Sequence, residues 1–531
     1  MFDPITAFEN SLRLIRAARV LARHDALFAF TDMPAPPLAI RAAHWLARLR
    51  MPWEPRGPAI DSARAGERLA DALQDLGPSY IKLGQMLATR PDVIGDQLAR
   101  DLMRLQDRLA PFAQAEAEAA IVQELGGAIS DHFVDFGPAI AAASIAQVHQ
   151  ARVADRTGTD DTQTIKQVAV KILRPGVEDA FARDLESFLW AAQLIERTQP
   201  ALHRLRLTQV VRILAESVAL EMDLRYEAAA ASELAENMSA EISAGEFRVP
   251  AIDWRRTARR VLTLEWMEGV SIGDNAALVA AGHDLKALAA RVITLFLKQA
   301  MRDGFFHADM HQGNLFVAQG GAIIAVDFGI MGRLDPRGRR YLAEILYGLV
   351  RRDYRRVAEL HFEAGFVTHG KSVDAFAQAL RSVGEPIFGL RASEISMSRL
   401  LAQLFRVTET FAMRTQPQLL LLQKTMVVVE GVARGLNPDV DFWEVSEPVI
   451  KDWISDHLGP EARLMEAAEG AAALARALPN LPHLIERAER AASRFYGEED
   501  PDEVAPARNG STNLGWWVAA AAILALALSW I

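Results

Sequence analysis

The sequence predicts an α+β fold of two lobes, with a helical extension in front, a helical region behind and one apolar helix at the end. Three observations carry that expectation. Residues 140–173 turn from helical to β-rich character, with apolar stretches on either side of a polar turn. Residues 307–329 set an aspartate, an asparagine and a second aspartate at fixed offsets around a short apolar run, Ala322 to Val326. The regions before and after read as helical, with apolar residues recurring at three- and four-residue intervals over 60–126.

Composition narrows the classes. The 531 residues exceed one ordinary domain and suggest two or three. Half of them are hydrophobic, enough for a substantial core. A formal charge of −10 argues against nucleic acid as a partner, because such binders normally present a basic field. The absence of cysteine excludes disulfides, thiolate zinc sites and cysteine nucleophiles, and it fits a reducing compartment. Charges interrupt every early apolar run, which does not fit a signal peptide.

In chain order, residues 1–126 read as the helical extension. Over 8–30, Arg13, Arg16, Arg19 and Arg23 share one helical face, while Leu14, Ile15, Ala18 and Leu21 lie away from it. Such a helix suits an anionic membrane surface or, equally, a plain solvated face. Pro34, Pro36 and Pro37 then break the chain. The helical stretch over 60–126 contains Lys82-Leu83-Gly84-Gln85. A mid-helix glycine costs about 1 kcal/mol against alanine, so Gly84 suggests close approach to another element. From the residues alone, Lys82 and Gln85 read as an ordinary polar face.

Residues 127–270 read as a smaller β-containing lobe, and 271–495 as a larger lobe with its helical C-terminal region. In the first, Ile140-Ala141-Ala142-Ala143-Ser144-Ile145-Ala146-Gln147-Val148 precedes the strand Val168–Leu173, which carries Lys171, across a turn from Asp155 to Thr164. In the second, His307-Ala308-Asp309 leads to Asn314, five residues beyond Asp309, and Asp327-Phe328-Gly329 follows the apolar run. Protein kinases use these parts in this order, HRDxxxxN and then DFG, downstream of a VAIK lysine. The fold expected is therefore protein-kinase-like. Lys171 would hold the phosphates of ATP or ADP, Asp309 would be the base, and Asn314 and Asp327 would bind magnesium. Where a glycine-rich loop would let amides approach phosphate, residues 140–148 offer alanines. Each Cβ narrows the backbone's freedom, so the nucleotide grip should differ.

The partner of Lys171 is expected on a helix over 205–237, which carries Glu221, Asp223 and Glu227. Six residues separate Glu221 from Glu227, so a regular helix would bring at most one of them to Lys171. The strand Arg260–Gly269, with Glu265 and Met267, resembles a hinge offering main-chain groups to adenine. A helix over 284–303 leads into the catalytic loop. After Gly329, Asp335-Pro336 signals a new helix within a few residues, which leaves no room for a long activation segment. Ala308 replaces the arginine of HRD, and the usual peptide platform is missing. Residues 496–513 read as a solvated linker, acidic over 498–503. Residues 514–531 carry no charge, would span about 27 Å as a helix, and place Trp516, Trp517 and Trp530 at the two ends. A transmembrane helix is expected there.

Taken together, these motifs resemble the UbiB family of atypical kinases, bacterial relatives of the mitochondrial ADCK proteins, over roughly residues 10–450. Lys82-Leu83-Gly84-Gln85 is similar to the family's KxGQ motif, residues 140–148 to its alanine-rich loop, and Glu221-Met222-Asp223 to its ExD motif. The resemblance implies that Lys171 pairs with Glu227, and that Lys82, with Gln85, folds over the site to meet Glu221 and Asp223. It implies a lipid-stimulated ATPase supporting ubiquinone biosynthesis, with membrane lipids, polyprenylated quinone precursors and other proteins of that pathway as partners. It also implies a bacterial inner membrane location with the catalytic body in the cytoplasm, and the stretch 514–531 is expected to serve as a single C-terminal anchor. Two departures stand out: many relatives show two C-terminal spans, and Ala142 stands where serine is common. A small-molecule phosphotransferase shares HxDxxxxN and the short segment after DFG, but nothing in it predicts KxGQ with ExD. A non-catalytic nucleotide-binding scaffold is the other alternative, and retention of Asp309, Asn314 and Asp327 speaks against it.

Overall fold

The computed structural model describes residues 4–26, 65–88, 110–155, 164–198, 206–367, 370–385 and 417–458, with isolated positions between 94 and 102 and between 407 and 413. The chain divides into two compact units, Met1–Ile454 and Ser455–Ile531. The expected linker and transmembrane helix lie outside the described residues. Among those described, no helix is long and apolar enough to cross a membrane.

Three helices of the extension, α1 (Pro4–Arg23), α2 (Ala65–Leu76) and α3 (Pro78–Ala88), gather around Leu21, Leu69, Leu73 and Ile81. Gly77, at φ +103°, makes the turn between α2 and α3. The four arginines of α1 do not form one free face. Arg16 and Arg23 are exposed, but Arg13 donates to the Arg183 carbonyl at 3.4 Å and to Asn10 Oδ1 at 3.3 Å. The buried stripe is Asn10, Ala17 and Leu21, so α1 is docked through part of its polar surface.

Helix α4 (Gln114–Leu125) covers a sheet that begins with β1 (Asp135–Ala142), β2 (Ala146–Asp155) and β3 (Thr164–Leu173). Helices α5 (Val177–Thr198), α6 (Leu207–Glu221) and α7 (Leu224–Asn237) follow, then β4 (Phe247–Arg248). Strand β5 (Val261–Glu265) returns to pair with β3, giving the antiparallel order β1-β2-β3-β5. Alternation sorts the side chains. Ala151, Val153, Val168, Val170, Ile172 and Val261 meet Ala117, Ala120 and Ile121 of α4. The next positions along, Ala146, Leu173 and Leu262, turn to Phe181, Leu214, Met222, Leu224 and Ala228. Each fully buried valine, leucine or isoleucine contributes roughly 1.5–3 kcal/mol. A slip of one residue would invert both faces, so the register is strongly fixed.

The helix expected over 205–237 is two helices. The chain leaves helical geometry at Asp223 (φ −128°, ψ 94°), whose carboxylate caps α7 by accepting from Arg225 N at 3.1 Å. A single helix would also have kept Glu221 and Glu227 apart, but the break lets α6 end at Glu221 and α7 start its own first turn with Glu227.

The larger lobe opens with β6 (Val270–Ser271) and α8 (Leu285–Leu297), which widens into a π turn over Lys298–Asp303. Strands β7 (Phe305–His307), β8 (Leu315–Val317), β9 (Ile323–Ala325) and β10 (Met331–Arg333) then form two small sheets, β4-β9-β8-β6 and β7-β10. Helix α9 (Pro336–Val350) starts where expected, with Asp335 capping Gly338 N at 2.6 Å and Pro336 in its first turn. Between Gly329 and that cap there is only β10. Helices α10 (Tyr354–Glu363), α11 (Val373–Gly384), α12 (Pro417–Leu436) and α13 (Phe442–Leu458) follow, and α12 packs along α8.

Candidate nucleotide site

Lys171 projects from β3 between two carboxylates. Its Nζ donates to Glu227 Oε1 and Oε2 at 2.8 and 2.9 Å and to Asp327 Oδ1 at 2.9 Å. Burial disfavours the ammonium, but Asp327 and Glu227 outweigh it, and the Lys171 pKa lies above its ordinary value. Lys171 in turn holds the Asp327 carboxyl below the usual carboxylate range. Burial pushes Glu227 upward, opposed by Lys171. Asp327 sits at φ +64°, a conformation uncommon outside glycine, and its side chain is 51% exposed. One oxygen faces Lys171 while the group stays open to solvent.

Buried His307 joins the two loops. Its Nδ1 accepts from Asp309 N at 3.1 Å, so its Nε2 carries the proton and donates to the Val326 carbonyl at 3.1 Å. Burial lowers the His307 pKa, consistent with that neutral tautomer. Asn314 Nδ2 donates to the Asp309 carbonyl at 3.1 Å, and Val326 N donates to the Asn314 carbonyl at 3.0 Å. Asp309, Asn314 and Asp327 are thus set by one network running from β7 to β9. From α12, buried Thr425 adds a hydrogen bond to the Ala308 carbonyl at 3.1 Å.

The extension reaches this site through α3. Lys82 Nζ lies 2.7 Å from Glu221 Oε2 at the end of α6, and Gln85 follows one turn later on the same face. Asp223 is committed to Arg225, at 2.8 and 2.6 Å, as well as to its cap.

The structure separates the residues of the 140–148 stretch. Ala141 and Ala142 end β1, and Ala143 N donates to the Ala146 carbonyl at 2.7 Å to close the turn. Val148 pairs with Lys171 across β2 and β3 and shares its sheet face. Gln147 does not belong to the nucleotide side. It lies on the opposite face, fully buried, where its Oε1 accepts from Phe112 N at 2.9 Å. Ile145 and Ala146 pack into the core beside α5–α7, and Ile140 is exposed. At the hinge, the Glu265 carboxylate is held by Arg248 at 2.9 Å, and Met267 packs on Ala318, Ala322 and Ile324. Their side chains are occupied, and the Glu265 N–H is itself given to the Ala251 carbonyl at 2.8 Å.

The donor set fits a nucleotide-bound magnesium ion. Asp327 and Asn314 are oxygen ligands of the kind this cation takes. Ser144 is buried at the loop apex with a hydroxyl that has no hydrogen-bond partner. Among the described residues no group of three or more histidines, aspartates or glutamates is able to hold a metal alone. Magnesium in such sites takes its remaining ligands from phosphate and water.

Two family models match: the ABC1 atypical kinase-like domain over residues 104–361 and the UbiB helical domain over 380–441. The chain is 38% identical over 480 residues to "Probable protein kinase UbiB" of Marinobacter nauticus, covering 89% of this chain and 84% of that one. It is 39% identical to the protein so named in Xanthomonas axonopodis, with the same coverage. The chain belongs to the UbiB family. A solved Mycobacterium tuberculosis structure, "The complex structure of Rv3197-erythromycin", aligns with a TM-score of 0.49 and 24% identity, over 72% of this chain and 95% of that one.

Three features of this UbiB-family site escaped the sequence reading. The direct Lys171–Asp327 pairing needs the conformation of Asp327, which no local pattern reveals. His311, whose Nε2 stands 3.5 Å from Asp309 Oδ2, reads in sequence as a loop residue. Gln147 and His149 left a signal: two polar residues at alternate positions of a strand, both completely buried.

Proposed function

We propose that this chain is a membrane-anchored ATPase or phosphotransferase of the kinase type that supports ubiquinone biosynthesis by acting on, or delivering, lipid quinone intermediates. The observation that carries the nucleotide part is Lys171 held between Glu227 and Asp327 beside the Asp309–Asn314 loop. Lys171 would neutralise the α- and β-phosphates, and Asp309 would receive the proton of an attacking hydroxyl or water. Asn314 and Asp327 would hold magnesium, which when bound offsets charge on the phosphates. His307 keeps Asp309 and the Val326–Asp327 peptide in register, so base and metal ligands move together. The short path from Gly329 to Asp335 leaves no peptide platform, which favours a small or lipid acceptor, or water, over a protein substrate. The quinone assignment rests on the resemblance to the UbiB family. Anchoring rests on the uncharged stretch 514–531, with polyprenylated precursors and proteins of the same pathway as partners at the inner membrane.

Asp327→Asn tests the core of this reading, since asparagine tolerates the positive φ but removes the metal-binding charge. MgATP should raise the melting temperature of the parent and not of the variant. Equal stabilisation of both would rule Asp327 out as the ligand. A deletion strain complemented by the parent but not by Asp327→Asn, judged by quinone content in mass spectrometry, tests the pathway. Release of the full-length protein from membranes by carbonate would refute the anchor.

A further inference from the structure

We propose that Arg174 and Gln147 are positioning residues that tie the nucleotide-facing turn at Ala143 to the segment 110–112 ahead of α4, so that this segment sets the turn's nucleotide preference. The inference rests on the reading of that turn as nucleotide-facing.

Arg174 follows directly on β3. Its main-chain N donates to the Ile145 carbonyl at 2.8 Å, which fixes it beside the turn. Its Nη2 then bridges two carbonyls that belong to different elements, Ala143 at 3.3 Å and Ala110 at 3.0 Å. The guanidinium carbon lies 5.4 Å from the centre of the Phe112 ring. Both bonds leave Nη2 of the planar guanidinium fork, whose rigidity fixes their directions, whereas the ammonium of lysine is a rotatable point donor on a flexible stem.

Gln147 grips the same segment from β2, on the face of the sheet that α4 covers. It accepts from Phe112 N at 2.9 Å and places Nε2 2.8 Å from His149 Nε2. His149 Nδ1 lies 2.8 Å from the Gly137 carbonyl. The directions are forced: the carbonyl needs Nδ1–H, so Nε2 accepts from Gln147, and the Gln147 oxygen is left for Phe112. This one-way chain links β1, β2 and the segment before α4 with each of these bonds satisfied.

The two peptide groups that flank the Ala143 Cα are therefore both held, one through the Ala143 N–H by Ala146 and the other through the Ala143 carbonyl by Arg174. Displacing 110–112 would drag that carbonyl and reorient the adjoining amides. Those are the amides a glycine-poor loop has to offer phosphate. A merely structural Arg174 would support stability alone.

The test uses full-length protein with MgADP and MgATP as probes. The variants are Arg174→Lys, which keeps a cation over Phe112 but loses the fork, and Phe112→Leu, a mild change that keeps the backbone contacts. Loss of one charge-assisted bond should change the ratio of the two dissociation constants by roughly threefold or more. Hydrogen exchange of the 141–146 amides should quicken in the nucleotide-free protein. An unchanged ratio with unchanged exchange, even beside a lowered melting temperature, overturns the proposal. If Arg174→Lys fails to fold, Phe112→Leu decides it by the same two readouts. A parent that binds neither nucleotide overturns the nucleotide reading instead, and exchange still reports whether Arg174 holds the turn.

Discussion

Lys82 of α3 and Glu221 at the end of α6 form an ion pair at 2.7 Å, with both side chains largely shielded from water. Lys82 is also among the charges that lower the Asp327 carboxyl, after Lys171. The extension thus places a cation within electrostatic reach of the proposed metal ligand. Lys82→Ala would strand Glu221 without its partner and cost roughly 1–3 kcal/mol. It would also release α3 from the end of α6, and if α3 keeps acceptors from the site, autophosphorylation with labelled ATP should appear. A variant with the parent's denaturation midpoint and no new phosphate incorporation would show that the pair neither supports nor closes the site.

Glu241 gives the fold a defined acid sensitivity. It is buried beneath the π turn that precedes β7, with Arg302 Nη1 at 2.8 Å and Lys298 Nζ at 3.0 Å. Burial alone would raise its pKa, but Arg302 and Lys298 bring it from 4.5 to about 2. A carboxylate depressed by folding stabilises fully above its unfolded value, and that contribution is lost as pH falls from 4.5 toward 2. The loss should be on the order of 2–3 kcal/mol. Glu241→Gln should be less stable at neutral pH and should flatten this part of the profile. Chemical denaturation of both proteins across that window checks it, and parallel profiles would contradict the assignment.

Much of the site was legible because its parts are local. Asp309, Asn314 and Asp327 are set by short loops between short strands, and the spacing of the sequence survives folding unchanged. Lys171 was legible because alternation in β3 decides its face. The break between α6 and α7 was not, because Asp223 is compatible with both a helix interior and a cap, and the folded chain uses it as the cap. Gln147 misled for a related reason. Proximity in sequence to the alanine turn suggested a shared role, yet period-two alternation sends it to the opposite face from Val148. The arginine face of α1 was overestimated because periodicity shows which residues lie together, not whether a neighbour such as Arg183 meets them.

Gly332, three residues after Gly329, tests how tightly the catalytic strands are fitted. It pairs with Phe306 across β10 and β7, and a Cβ built there would run into the Phe306 ring. That ring is fully buried and stands edge-on to Phe296, with centroids 6.0 Å apart, so it has little freedom to yield. The neighbouring pair in the same ladder is Met331 with His307, the residue that holds both Asp309 and Val326. Gly332→Ala should therefore cost about 1–3 kcal/mol through overpacking and weaken MgATP binding. Gly320 supplies the control: nothing lies within 4 Å of a Cβ there, and Gly320→Ala should leave both quantities unchanged. Phe306→Leu relieves the clash while opening a void of its own. In a double-mutant cycle the combined variant should be more stable than the sum of the single losses predicts. Strictly additive losses would mean that the ring is not what excludes a side chain at 332.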